Sequence, residues 1–308
     1  MNSVIFTKVN IFRNLKDYKF LPKLENTKKE EIVEKVSDAL KGKMSLNYLP
    51  KASEEFMNKL KENGLLTPNV NNIFTKNEGN TIVEMFSDEH IAIKSSTFGF
   101  DRQIFNDAKE ISDLLSNKLN LAFSDEYGFL MSDLKKVGSG IKIESLLSLN
   151  GLSRINKIEQ VKQNVAKLGY SLIPTDLKNV YVLTTNCNLG FSEKEVFEDF
   201  EKTLKNIDNL EIESLKMQDV SNHDELQDKV ERAKAILSSA HLLTQNELEM
   251  HLSTLRMGNS LNLCDIDDEK IKHAEKLCLF NKKETISQSE MKDLANEVRN
   301  LFKGGKNV

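Results

Sequence analysis

Arginine is scarce in this chain. Of 43 basic residues among 308, six are arginine (Arg13, Arg102, Arg154, Arg232, Arg256 and Arg299) and 37 are lysine. Chemistry that needs a cluster of planar, bidentate phosphate-binding forks must draw on those six. Cysteine is rarer still. Cys187, Cys264 and Cys278 are scattered, with no CxxC pair. That excludes a disulfide framework and a zinc site of paired cysteines, and makes a reducing, cytoplasmic setting the expectation. Long uncharged runs are also missing. The longest, residues 179–192, has 14 residues, whereas a bilayer-spanning helix needs about 20. The opening MNSVIFTKVNIFRNLK lacks the apolar core of a secretory leader. Neither sign of charge dominates: 43 basic residues face 47 acidic ones, for a net charge of −4 and a pI near 5.9. Neither nucleic acid nor an anionic membrane is therefore the expected partner.

What is present suits a folded globular protein, with 39% hydrophobic and 29% charged residues. The length allows one large domain, or a large one with a small one. Residues 4–12, VIFTKVNIF, interleave β-branched and aromatic residues with polar ones and read as a strand. Thr27 and Glu30 have capping-box spacing and open a helix to Leu40, with Ile32, Val33 and Val36 on its apolar face. Residues 63–80 read as loop, and residues 81–85 and 90–94 as two strands around Ser87-Asp88-Glu89. A helix is expected over 101–119, strands over 141–149 and 179–187, and another helix carrying Ile155, Ile158, Val161, Val165 and Leu168. Ser192 and Glu195 cap the next helix, which presents Val196, Phe197, Phe200 and Leu204. Beyond about 220 the pattern is helical only, over 224–240, 245–257, 268–279 and 287–302, with a frayed tail at 303–308.

Few residues announce chemistry by spacing. The five histidines are scattered, and His241 and His251 are not at the i,i+4 spacing of a helical metal pair. Ser87-Asp88-Glu89-His90 can hold a general base or form a solvated turn. The loop 135–140, KKVGSG, offers two lysines and two glycines of the kind that suit phosphate, although such a glycine pair is common in turns.

Taken in chain order the segments carry more. VIFTKVNIFRNLKDYKF, FSDEHIAIK, LAFSDEYGFLMSDLKKVGSGIKIESLLSLNGL and NVYVLTTNCNLGFSEKEV resemble the guanidino (phosphagen) kinases, in particular the bacterial protein arginine kinases. The stretch AKAILSSAHLLTQNELEMHLSTLRMGNSLNL is similar to the helical domain of those kinases. The resemblance implies an α+β fold. A catalytic domain with a mainly antiparallel sheet flanked by helices occupies residues 1–220, and a small all-helical domain occupies 221–308. Strand and helix alternation alone leaves a parallel sheet open.

The resemblance also implies a reaction, transfer of the ATP γ-phosphoryl group, with Mg2+, onto the guanidinium of a protein arginine. Such catalysis rests on cationic clamps and alignment, with an acidic residue orienting the guanidinium. Matched to the family pattern, two clamp arginines in the first strand become Lys8 and Asn10, while Arg13 is retained. The catalytic glutamate becomes Asp88, a further arginine becomes Ala92, the assisting cysteine becomes Asp133, and the following asparagine becomes Lys136. The arginine after the glycine pair becomes Lys142. The flexible loop before the strand at 179 shrinks to YSLIPTDLK, without arginine. Asp88 and Asp133 are thus the candidate catalytic residues, and Lys8, Arg13, Lys136 and Lys142 the candidate nucleotide-binding ones. In the family's phosphoarginine pocket, residues 289–293 leave only Glu290 and Lys292 as echoes; the alternative is a solvated helix.

Losing one preorganised transition-state donor costs on the order of 2.7–4 kcal/mol, and displacing a group by about 1 Å costs about a hundredfold. Two such donor losses remove roughly four decades of rate. Two readings follow: a divergent kinase whose activity is weak or lost, or a catalytically silent relative serving as a binding or regulatory scaffold in protein quality control. The expected partners are ATP, a protein arginine substrate or regulatory proteins, and a second copy in a homodimer.

Overall fold

The computed structural model describes residues 1–75, 80–186, 188–279 and 287–303. Ten strands are described: β1 (Val4–Arg13), β2 (Ser45–Tyr48), β3 (Asn72–Thr75), β4 (Thr81–Met85), β5 (Ile91–Phe98), β6 (Phe123–Ser124), β7 (Gly128–Phe129), β8 (Ile141–Ser148), β9 (Tyr170–Pro174) and β10 (Val180–Thr185). The α-helices are α1 (Asn26–Leu40), α2 (Glu54–Glu62), α3 (Gln103–Lys118), α4 (Asn150–Arg154), α5 (Ile158–Lys167), α6 (Glu193–Ser239), α7 (Gln245–Ser260), α8 (Asp268–Cys278) and α9 (Gln288–Lys303).

Eight strands form one sheet in the order β2-β3-β4-β5-β1-β8-β10-β9. Every pairing in it is antiparallel, which removes the parallel alternative. The interleaved β1 sequence explains its central place. Val9 and Ile11 point to the face packed under α3 and α6, where Ile93, Ile141, Ile143, Ile104, Phe105, Phe197 and Phe200 complete the main core. Lys8 and Asn10 point to the other face.

Several expectations are refined. No side chain caps α1, which begins at Asn26 behind Glu25, so the Thr27–Glu30 capping box does not form. The expected loop at 63–80 contains β3, which pairs with both β2 and β4. Of the expected loop YSLIPTDLK, residues 170–174 form the edge strand β9, hairpinned onto β10. The Ser192–Glu195 capping box does form, with both halves in place. Near residue 220 two helical stretches meet at a kink: α6 spans it, but Asn222 has non-helical φ and ψ of −140° and 30°. The second core, beyond that residue, gathers Leu226, Val230, Leu248, Leu252, Ile271 and Val298. Residues 304–308 of the expected frayed tail lie outside the described residues.

Candidate active site

Residues directly opposite in neighbouring antiparallel strands share a face. Asn10 is opposite Lys94 of β5 and Lys142 of β8, and Lys8 is opposite Ser96 and Glu144. Glu144 in turn is opposite Thr184, and Ile82 is opposite Lys94. This face of the sheet centre therefore carries a band of charge rather than a continuous apolar surface.

That band is internally paired. Lys142 Nζ is 2.7 Å from Glu144 Oε1. Lys94 forms an ion pair with Glu84, and both side chains are buried. Segment 63–67, just after α2, lies across this end of the face. Lys8 Nζ donates to Gly64 O at 3.2 Å, Ser96 Oγ donates to Asn63 O at 2.7 Å, and Thr67 N donates to Glu84 Oε1 at 3.1 Å. Burial, and next the neighbouring Lys94, push the Lys8 ammonium down to about 8, although Glu144 and Glu84 pull the other way.

Asp88 reaches the same band from the turn between β4 and β5. Phe86, in the left-handed region at φ 62°, donates its N–H to His90 O and tightens that turn. Glu89 is fully buried. It accepts from Asn14 Nδ2 at 2.7 Å, Ser132 Oγ at 2.7 Å and Ser132 N at 2.9 Å, tying the turn to the end of β1 and to the loop after β7. His90 Nδ1 accepts from Leu15 N at 3.1 Å and its Nε2 faces Lys19 O at 2.9 Å, so the ring is the Nε2–H tautomer. Burial holds it below its usual range. With Glu89 and His90 so committed, Asp88 is the one that faces Lys136, at 3.0 Å. Desolvation raises its carboxyl, but Lys136, with Lys94 and Lys142 behind it, prevails and holds it below the usual value.

The structure thus brings Lys8, Asp88, Lys136 and Lys142 together on one side of the sheet. Asp133 sits beside them in another role, its Oδ1 accepting from Lys135 N at 3.0 Å and capping the 3₁₀ turn Leu134–Lys136. Arg13 is not brought there. It leaves β1 on the opposite side and is fully buried, with Nη1 donating to Phe12 O (2.6 Å) and Ser139 O (3.1 Å) and Nη2 to Ser112 Oγ (2.9 Å). It also pairs with Glu193, and its guanidinium stacks 3.5 Å from the Phe129 ring centroid. The other five arginines are engaged away from the band. Arg102 pairs with Glu201, Arg154 with Glu225, Arg232 with Asp228 and Arg256 with Glu275, while Arg299 donates to Ala240 O.

The 135–140 loop is no open phosphate cradle. Gly138 N donates to Phe129 O and Ser139 N to Asn188 O. Gly138 and Gly140 both have positive φ, and a Cβ on Gly138 would collide with Asn188 O. These glycines serve close backbone packing. In α9, Glu290 accepts from Ser287 N and Oγ, both at 2.8 Å, as the capping-box partner of that helix, and Lys292 is exposed. Sequence reasoning missed Glu84, Lys94 and Glu144. The available signal was a charged residue inside each of the apolar strand segments TIVEM, IAIK and IKIES. Among the described residues no cluster of three His, Cys, Asp or Glu side chains is placed to hold a metal ion.

The family model for the ATP:guanido phosphotransferase C-terminal catalytic domain matches residues 24–214, more than half of the chain. The chain belongs to the ATP:guanido phosphotransferase family. A second family model, the protein-arginine kinase McsB C-terminal domain, matches residues 223–305. The chain is 27% identical to the protein-arginine kinase of Clostridium kluyveri over 317 residues, covering 97% of this chain and 91% of that one. The corresponding figures for the Clostridium perfringens (strain 13) protein-arginine kinase are 27% over 310 residues, 94% and 90%. Among solved structures, the duplicated taurocyamine kinase of Schistosoma mansoni with bound transition-state analogue components superposes with a TM-score of 0.62 at 19% identity. That match covers 80% of this chain and 38% of the duplicated one. Lombricine kinase gives 0.58 at 17% identity, covering 68% and 66%. The fold is that of the guanidino kinase catalytic domain, followed by a helical C-terminal part. No described helix is long and apolar enough to cross a membrane.

Proposed function

We propose that this guanidino-kinase relative binds the phosphate end of ATP, accompanied by Mg2+, on its lysine-bearing sheet face, and that phosphoryl transfer to protein arginine is weak or lost. The single observation that carries this reading is the disposition of the arginines. All six are engaged elsewhere, while Lys8, Lys94, Lys136 and Lys142 share one charged side of the sheet. Ammonium groups hold phosphate as point charges but lack the planar fork that stabilises a transferring phosphoryl group. Asp88, in the catalytic glutamate's position, is paired with Lys136. An incoming guanidinium must displace that ammonium before the acid can orient it. Asp133 acts on the turn that carries Lys136.

The other reading, a silent scaffold in protein quality control, draws on the same pairing and differs only in having no turnover. A cytoplasmic location, protein partners and a homodimer belong to this proposal too, by analogy with the protein-arginine kinases. Calorimetric titration with ATP and magnesium tests the binding arm. Heat of binding that disappears in Lys142→Ala supports it, and no binding by the folded wild-type chain contradicts it.

A further inference from the structure

We propose that Glu144 is a specificity-determining residue that cancels the charge of Lys142 beside it and limits how tightly this face holds a triphosphate. The proposal rests on this face being the anion site described above. The face carries four lysines, and three of them face a carboxylate: Lys142 with Glu144 at 2.7 Å, Lys94 with Glu84, and Lys136 with Asp88 at 3.0 Å. Lys8 is in no ion pair among the described residues, but it is buried beneath segment 63–67 and bonded to Gly64 O. Against one uncompensated ammonium, a triphosphate brings about four negative charges. Asn10 does not add to the positive charge. It is buried between Lys94 and Lys142, and its Oδ1 is without a hydrogen-bond partner. Asn10 brings no positive charge, whereas an arginine at that position would add one.

The two carboxylates differ in what they allow. The Glu84–Lys94 pair is buried, with side chains 1% and 6% exposed, and removing one partner strands a charge in the sheet. Glu144 and Lys142 are 32% and 38% exposed, so Glu144 can be neutralised without burying an orphan. Glu144 is also the cross-strand neighbour of Lys8 and supports its protonation. The gain should therefore be read at about pH 6.5, below the Lys8 midpoint of about 8, where Lys8 stays charged in the variant.

The test uses inorganic tripolyphosphate, which isolates the grip on phosphate from any contact with a nucleoside. Its affinity is measured by calorimetry for wild type, Glu144→Gln, Glu144→Ser and Glu144→Asp, with thermal unfolding confirming that each is folded. The expected result is binding tighter by about tenfold in the Gln and Ser variants, with a steeper loss on adding salt, and wild-type affinity in Asp. A purely packing role for Glu144 predicts no gain. Unchanged or weaker tripolyphosphate binding in both neutral variants overturns the inference. If wild type binds ATP with magnesium and the neutral variants gain nothing, this inference alone fails. If no variant binds ATP or tripolyphosphate, the anion-site reading beneath it fails as well.

Discussion

Lys136 Nζ lies 3.0 Å from Asp88 Oδ2 and 4.3 Å from the centroid of the Phe12 ring. The ammonium is wedged between Asp88 and the aromatic that ends the charged side of β1. It holds Asp88 as an anion, so any pH-dependent step through Asp88 reports on Lys136.

Removing Lys136 should raise the Asp88 midpoint, because burial then acts with less opposition. Carboxyl-resolved NMR titration of wild type and Lys136→Met measures it. The stability that Asp88 contributes is present above its unfolded value and is lost as pH falls through its depressed folded value. An unchanged midpoint in the variant would contradict the assignment.

The affinity for ATP should fall as pH rises through about 8. Lys8 loses its proton there rather than near 10.5, driven first by burial and then by Lys94. The sign for stability is the same as for an acid with a depressed value. The folded chain binds fewer protons than the unfolded one between about 8 and 10.5, so stability rises with pH across that window. In Lys8→Met the calorimetric affinity should be weaker at neutral pH and flat through pH 8. A wild-type pH profile surviving in the variant would show that Lys8 is not the group responsible.

Glu211 should set a pH dependence of stability away from the lysine-bearing face. Its two carboxylate oxygens accept from Gly151 N at 2.6 Å and Leu152 N at 2.9 Å, pinning α4 to α6. Burial nevertheless lifts its carboxyl to about 7, the backbone amides opposing and Asp208 assisting. Its stabilising contribution is complete below its unfolded value near 4.5 and is lost as pH rises through about 7, on the order of 3 kcal/mol at most. Denaturant midpoints from pH 4.5 to 7.5 should decline in wild type and decline less in Glu211→Gln. Parallel slopes would rule Glu211 out.

Arg13→Ala should destabilise by about 3–5 kcal/mol, because it removes one partner of a nearly buried ion pair with Glu193 and four further contacts. Arg13→Lys should restore little, since a single ammonium cannot replace a fork that bonds Phe12 O, Ser139 O and Ser112 Oγ together. Urea unfolding measures the loss. A stable variant that has lost ATP affinity would return Arg13 to the anion site.

The sheet was legible where alternation and local punctuation agree. The interleaved VIFTKVNIF gives β1, and Ser192 with Glu195 gives the start of α6. β3 and β9 were hidden because edge and near-edge strands of four or five residues lie in segments rich in Asn, Thr and Pro, and long-range pairing overrides those local signals. The acidic turn was recognised, but periodicity could not tell which of Asp88, Glu89 and His90 faces the lysines. That choice follows from Asn14 and Ser132, far away in sequence, claiming Glu89. Arg13 misled for the same reason: one residue of strand register separates Asn10's side of β1 from the buried side, and Ser112 and Glu193 take up its donors.

The central claim is that a sheet face bearing lysines, with every arginine engaged elsewhere, holds a nucleotide without moving its phosphoryl group efficiently. Its most direct test is phosphoarginine formation on an arginine-rich protein, followed by mass spectrometry with ATP and magnesium, alongside the Clostridium kluyveri protein-arginine kinase as the active comparison. The account predicts a rate lower than that of the comparison by roughly four decades, or none at all. A rate within about tenfold of it, abolished by Asp88→Ala, would contradict the account.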